Sequence, residues 1–165
     1  MDPRRRILIA AAAVSALLAA AVFAAPYAAP YGTFRFDGGY PGFIEGWWSG
    51  SGAAGIPYAL GDLLCHQQYG RSLILNGSQL PVCIRDTGII IGLAAGFSAC
   101  LLSERIRGSR AAPFVGVLMI ALLPAEWMVE TTGFDCPELR MISGICAGAG
   151  ASFFLTWMLY RQHDR

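Results

Sequence analysis

Lysine is absent from this chain: all twelve basic residues are arginine, and eleven Asp and Glu set against them leave a formal net charge of +1 over 165 residues. Charge of either sign is scarce, at 14% of residues. Scattered arginines without a basic stripe give no reason to expect nucleic acid as a partner. Also missing are Cys-x-x-Cys-His, a Walker loop, His-Glu-x-x-His and Gly-x-Ser-x-Gly. Covalent haem, P-loop nucleotide binding, zincin proteolysis and serine-hydrolase chemistry are therefore not expected. What the chain has in excess is apolar surface, with 55% hydrophobic residues and a mean hydropathy of +0.50. Such values describe a chain whose solvent is lipid.

Residues 7–25 carry no charge, and as a helix at ~1.5 Å per residue they reach about 28 Å, close to the hydrocarbon thickness of a bilayer. Arg4, Arg5 and Arg6 precede them and Pro26 follows, a layout shared with signal peptides. The apolar run is longer than the ~7–15 residues of a signal core, which favours an uncleaved anchor. Three more spans are predicted at 87–102, 111–128 and 141–160. The expected architecture is thus an all-α membrane protein, a four-transmembrane-helix bundle forming one membrane domain over 1–165, with an interfacial segment at 26–86. The N-terminus, the turn containing Arg105, Arg107 and Arg110, and the C-terminus hold eight arginines, against Arg35, Arg71, Arg85 and Arg140 on the other side. The positive-inside rule makes this a multi-pass protein of the cell membrane with both termini cytoplasmic and segment 26–86 extracytoplasmic. Four short helices without an inverted repeat argue against an ordinary secondary transporter.

Gly88, Gly92 and Gly96 share one face of the second span, and Gly144 and Gly148 repeat the spacing in the fourth. Lipid gives little hydrophobic drive for helix association, so these small-residue faces predict contact between the two spans, or with a second copy or a membrane-complex partner. Segment 26–55, rich in Pro, Gly and aromatic residues including Trp47 and Trp48, is expected along the membrane interface. Tyr58, Leu60, Leu63 and Leu64 suggest a short helix within 56–68 on the bilayer surface. Asn76-Gly77 predicts a turn.

Residue types that carry chemistry are densest in Cys65-His66-Gln67, Arg71-Ser72 and Pro81-Val82-Cys83-Ile84-Arg85-Asp86-Thr87-Gly88. A turn at Asn76-Gly77 folds Cys65 and His66 back toward Cys83 and Asp86, which together form a ligand set suited to zinc or another transition metal. Cys65 and Cys83 can equally form a disulfide in an oxidising compartment, worth about 2–4 kcal/mol. Cys136 could replace either partner, whereas Cys100 and Cys146 fall inside spans as packing residues. Asp86, just ahead of the second span, could also cap that helix.

These motifs resemble a family of prokaryotic predicted membrane proteins known as domain of unknown function 2085. Leu139-Arg140-Met141-Ile142-Ser143-Gly144 is similar to that family's Arg-x-x-Thr/Ser-Gly, and the likeness runs over about 56–160. The resemblance implies a second cysteine three residues after the first in Pro-Val-Cys, completing a Cys₃His set, but here that place is Asp86. The change favours an open or weaker metal site over a tight structural one.

Around the cluster, Arg71, Arg85, Glu126, Glu130 and Arg140 are the expected supporting charges. Glu126 and Glu130 lie one turn apart at the end of the third span, where a carboxylate seeks a cation rather than lipid. Three functions fit these residues: a metal-binding membrane protein, with or without catalysis; a thiol–disulfide protein exchanging electrons with a quinone or another thiol; and a disulfide-stapled scaffold.

Overall fold

The computed structural model describes residues 1–35, 48 and 50–161; the aromatic stretch containing Trp47 and the residues after Arg161 lie outside them. In chain order the elements are α1 (Pro3–Ala24), α2 (Ile56–Leu64), β1 (Ile74–Leu75), β2 (Ser78–Gln79), α3 (Ile84–Leu102), α4 (Glu104–Arg107), α5 (Ala112–Thr131) and α6 (Pro137–Arg161). Short 3₁₀ turns at Ala25–Tyr27, Gly52–Gly55 and Tyr69–Arg71 complete them. Helices α1 (with its 3₁₀ extension), α3, α5 and α6 are each long and apolar enough to cross a membrane, and the chain is an all-α membrane protein with four such helices among the described residues.

Each spanning helix runs past the limit set by its apolar residues. Arg4, Arg5 and Arg6 are inside α1, Glu130 is inside α5, and Glu138 and Arg140 are inside α6. Backbone hydrogen bonding continues wherever the dihedrals allow, whatever the polarity of the side chain. Because α3 begins at Ile84 rather than Thr87, Asp86 sits in its first turn and not at its cap. That placement still sets a carboxylate against the exposed N–H groups of a helix N-terminus.

The chain divides into two compact units, Met1–Leu17 with Gly88–Arg165, and Leu18–Thr87. In the helical unit the predicted pairing of α3 with α6 is present. A Cβ on Gly92 would strike the Ile145 carbonyl, one on Gly148 the Ile89 carbonyl, and one on Gly88 would lie 2.5 Å from the Met141 oxygen. Ser152 rivets the same interface, its hydroxyl donating to the Leu93 carbonyl at 3.1 Å. A second close approach joins α5 to α6, where Gly116 and Gly150 face each other's backbone. These glycine faces are filled within the chain. Leu8 and Ala12 of α1 pack with Phe97 and Cys100 of α3 in a buried cluster.

The second unit is built around a β-hairpin. Asn76 (φ 48°) and Gly77 (φ 67°) make the left-handed pair that a tight two-residue hairpin requires, and Ile74 pairs with Gln79. The Tyr31 ring covers Gly77 so closely that no Cβ fits, while Asn76 Nδ2 donates to the Pro26 carbonyl at 2.8 Å. Phe34 runs beside β2, its carbonyl accepting from the Gln79 N–H at 2.9 Å. Its ring stacks on Tyr58 of α2 at 3.8 Å.

Candidate metal centre

Helix α2 ends at Leu64 because Cys65 turns to extended backbone (φ −131°, ψ 144°), its N–H still closing on the Gly61 carbonyl at 2.8 Å. Two residues on, Gln67 adopts φ 47°, an uncommon conformation for a residue with a Cβ. Its surroundings hold it there. The Gln67 amide donates to the Tyr58 carbonyl at 2.8 Å and to the Pro81 carbonyl at 2.7 Å. Gln79 Nε2 donates to the Gln67 backbone carbonyl at 2.7 Å, and the Tyr58 hydroxyl donates to the Gln79 carbonyl at 2.7 Å. Gln67, Gln79 and Tyr58 are all buried. They tie the segment carrying Cys65 and His66 to the segment carrying Cys83.

The ligand atoms of Cys65, His66 and Cys83 consequently lie within 4.8 Å of one another. The Cys83 N–H donates to Cys65 Sγ at 3.1 Å, and Cys83 Sγ stands 3.2 Å from Asp86 Oδ2, a thiol–carboxylate pair able to share one proton. His66 receives the Gln68 N–H on Nδ1 at 3.2 Å. All four sequence-predicted ligand residues thus fall in one neighbourhood of the hairpin unit, and Cys65 and Cys83 are separate thiols. Their acidities divide. Hydrogen bonds toward its sulfur, from Cys65 first and then from His66 and the Asp86 backbone, draw Cys83 below the usual thiol range against the opposing effect of burial. Cys65, the donor in that pair and buried itself, is pushed up.

The remaining predicted residues divide between the units. Arg71 and Arg85 belong to the hairpin unit. In the helical unit buried Arg140 pairs with Glu130 and Asp135, both at 2.8 Å, and the Ser143 hydroxyl donates to buried Glu126 at 3.5 Å. Arginine 140 therefore takes Glu130, with Asp135 as a partner that the sequence reading missed. Cys136 belongs to the helical unit and hydrogen-bonds Glu138 at 3.3 Å, while Cys100 is buried as a packing residue.

Two further features escaped the sequence reading. One is the clamp of Gln67, Gln79 and Tyr58, whose only sequence signal was a glutamine directly after Cys-His. The other is Asp62, a carboxylate on the buried side of α2 with Tyr58 and Gly61; its Oδ2 accepts no hydrogen bond among the described residues. A lone Asp in an otherwise apolar helix was the available signal, because buried polar atoms ordinarily find partners.

Four spanning helices with a Cys/His cluster ahead of the second define a class of small multi-pass membrane proteins. The profile of the family described as "Predicted membrane protein (DUF2085)" matches residues 65–154, more than half of the chain, and the chain belongs to that family. It is also similar to the Uncharacterized protein MJ1492 of Methanocaldococcus jannaschii, 30% identical over 102 residues. The match covers 59% of this chain and 65% of that protein, so the chain spans just under two thirds of its relative's length. No solved structure matches.

Proposed function

We propose that Cys65, His66 and Cys83, with Asp86 as a fourth ligand, bind a divalent transition metal, zinc being the best match to the donors. The observation that carries this reading is the convergence of two sulfurs and an imidazole nitrogen within 4.8 Å. Ligand atoms around a tetrahedral zinc stand about 3.3–3.8 Å apart, so closing the set asks for side-chain adjustment and no refolding. The thiolate character of Cys83 suits the first bond, since only deprotonated sulfur binds metal. A carboxylate in the fourth position makes an exchangeable ligand, in keeping with an open site that could admit water or substrate.

A disulfide between the same two sulfurs is the second reading, favoured by their proximity and by the hairpin that brings them together. Exchange with external thiols or a quinone has less support, because Cys65 and Cys83 are only 3% and 5% exposed and such chemistry needs access.

The cluster is assigned to the extracytoplasmic side by the imbalance of eight arginines against four. Helix α2 is assigned to the membrane interface. Ile56, Leu60, Leu63 and Leu64 form an exposed apolar face opposite buried Tyr58, Gly61 and Asp62, the pattern of a helix lying on lipid.

Metal content per chain decides between metal and disulfide. Protein purified anaerobically in detergent without a metal-affinity tag is expected to carry near-stoichiometric metal, lost in both Cys83→Ser and His66→Ala. Metal-free protein whose Cys65 and Cys83 resist alkylation until reduced would establish the disulfide instead.

A further inference from the structure

At the end of the helical unit where α1 and α5 begin and α6 finishes, Arg4, Arg107, Arg110 and Arg161 line a cavity of about 1040 Å³. Glu104 is the one acidic residue among its described lining. Four cations around one hollow repel one another, and the ring electrons nearby offset part of that cost. Arg4 and Arg107 both approach Tyr160, their guanidinium carbons 5.7 and 6.0 Å from the ring centre, and Arg161 lies 4.7 Å over Trp157.

Arg107 is fixed in place: its Nη1 donates to the Cys100 and Leu101 carbonyls at the end of α3, at 3.1 and 2.8 Å, and its Nη2 to Glu104 at 3.1 Å. Glu104, whose side chain is 93% exposed, and Asp2, 4.0 Å from Arg4, offset two of the four cations and leave the cavity net positive. Beyond the arginines the wall turns apolar through Phe114, Val117 and Phe154 on spanning helices α5 and α6. Phe114 and Val117 are 79% and 54% exposed, as residues facing lipid are.

A cationic mouth that opens along a lipid-facing helix surface suits a molecule with an anionic head and a hydrocarbon tail. We propose that this cavity binds the phosphate headgroup of an anionic membrane phospholipid. Arg4, Arg110 and Arg161 engage the phosphate oxygens, and an acyl chain runs along α5 past Phe114 and Val117. The site does not rest on the metal reading.

Native mass spectrometry of the full chain in detergent tests it, with phosphatidylglycerol, phosphatidylcholine of the same acyl chains, and inorganic phosphate as probes. Phosphatidylglycerol is expected to be retained about tenfold over phosphatidylcholine, and the combined Arg4→Gln, Arg110→Gln, Arg161→Gln variant to reduce that preference to about twofold or less. Arg5→Gln, Arg6→Gln, Arg105→Gln removes equal charge from outside the lining and should keep the wild-type preference. Thermal unfolding of both variants checks their fold; if the first does not fold, Arg110→Gln alone carries the test, with an expected loss of about threefold. Equal retention of the two lipids, equal loss in both combined variants, or displacement of phosphatidylglycerol by inorganic phosphate at matched concentration would overturn the proposal, the last by assigning the cavity to free phosphate.

Discussion

Gln67 shows how one side chain can hold two segments of the chain together. Its amide satisfies two buried carbonyls, so Gln67→Leu would leave both without a donor at about 1–3 kcal/mol each. The variant is expected to unfold well below wild type in a thermal melt in detergent and to lose bound metal, whereas Gln68→Leu, at an exposed position, should do neither. Tyr58 supplies a pH dependence. Burial pushes its phenol well above the ordinary value near 10. Stability from keeping it neutral is complete below pH 10, where the unfolded chain is also neutral, and is lost as pH rises from 10 toward the folded value. The thermal midpoint of wild type should therefore fall more steeply above pH 10 than that of Tyr58→Phe. At the cluster, the hydrogen bond with Cys83 and burial push the Cys65 thiol up, so on the proposed metal reading binding must displace its proton. Apparent affinity, measured by competition with a chelating dye, is expected to fall at least about tenfold for each pH unit from 8 to 6, more steeply toward pH 6 where Asp86, pushed up to about 6 by burial, also takes a proton.

At the scale of elements, the α3–α6 seam depends on the absence of side chains. Gly92→Val places carbon atoms where the Ile145 carbonyl already sits; since association in lipid relies on that close approach, the variant should lose several kcal/mol and appear as aggregate on size exclusion. Gly70→Ala, in open space, is the matching control and should elute as wild type does. The seam was legible because small residues at every fourth position align on a helix. The pairing of the second span with the fourth followed from that alignment, whereas the second close approach, of Gly116 on α5 to Gly150 on α6, did not, because single glycines carry no repeat to read. Helix ends were also hidden: hydropathy marks where lipid ends, and hydrogen bonding carried α3 back to Ile84 and α6 back to Pro137.

For the whole molecule, the arginine imbalance predicts that cysteines introduced at Gly70 and Glu104 will be labelled from opposite sides of intact cells or spheroplasts, Gly70 from outside. Labelling of Gly70 only after permeabilisation would reverse the topology and move the Cys/His cluster to the cytoplasmic face. Lipid as solvent, four apolar helices, the hairpin turn and the residue types gathered at Cys65, His66 and Cys83 were legible in the sequence, because apolar run length, Asn-Gly backbone preference and thiol or imidazole chemistry are local properties. Only the tertiary structure decided that Glu130 and Asp135 share Arg140, that Asp62 is buried with an oxygen lacking a partner among the described residues, that Gln67 bridges two segments, and that arginines from both ends of the chain surround one cavity. Those relations join residues far apart in sequence, and only the packing of the helices and the closure of the hairpin bring them together.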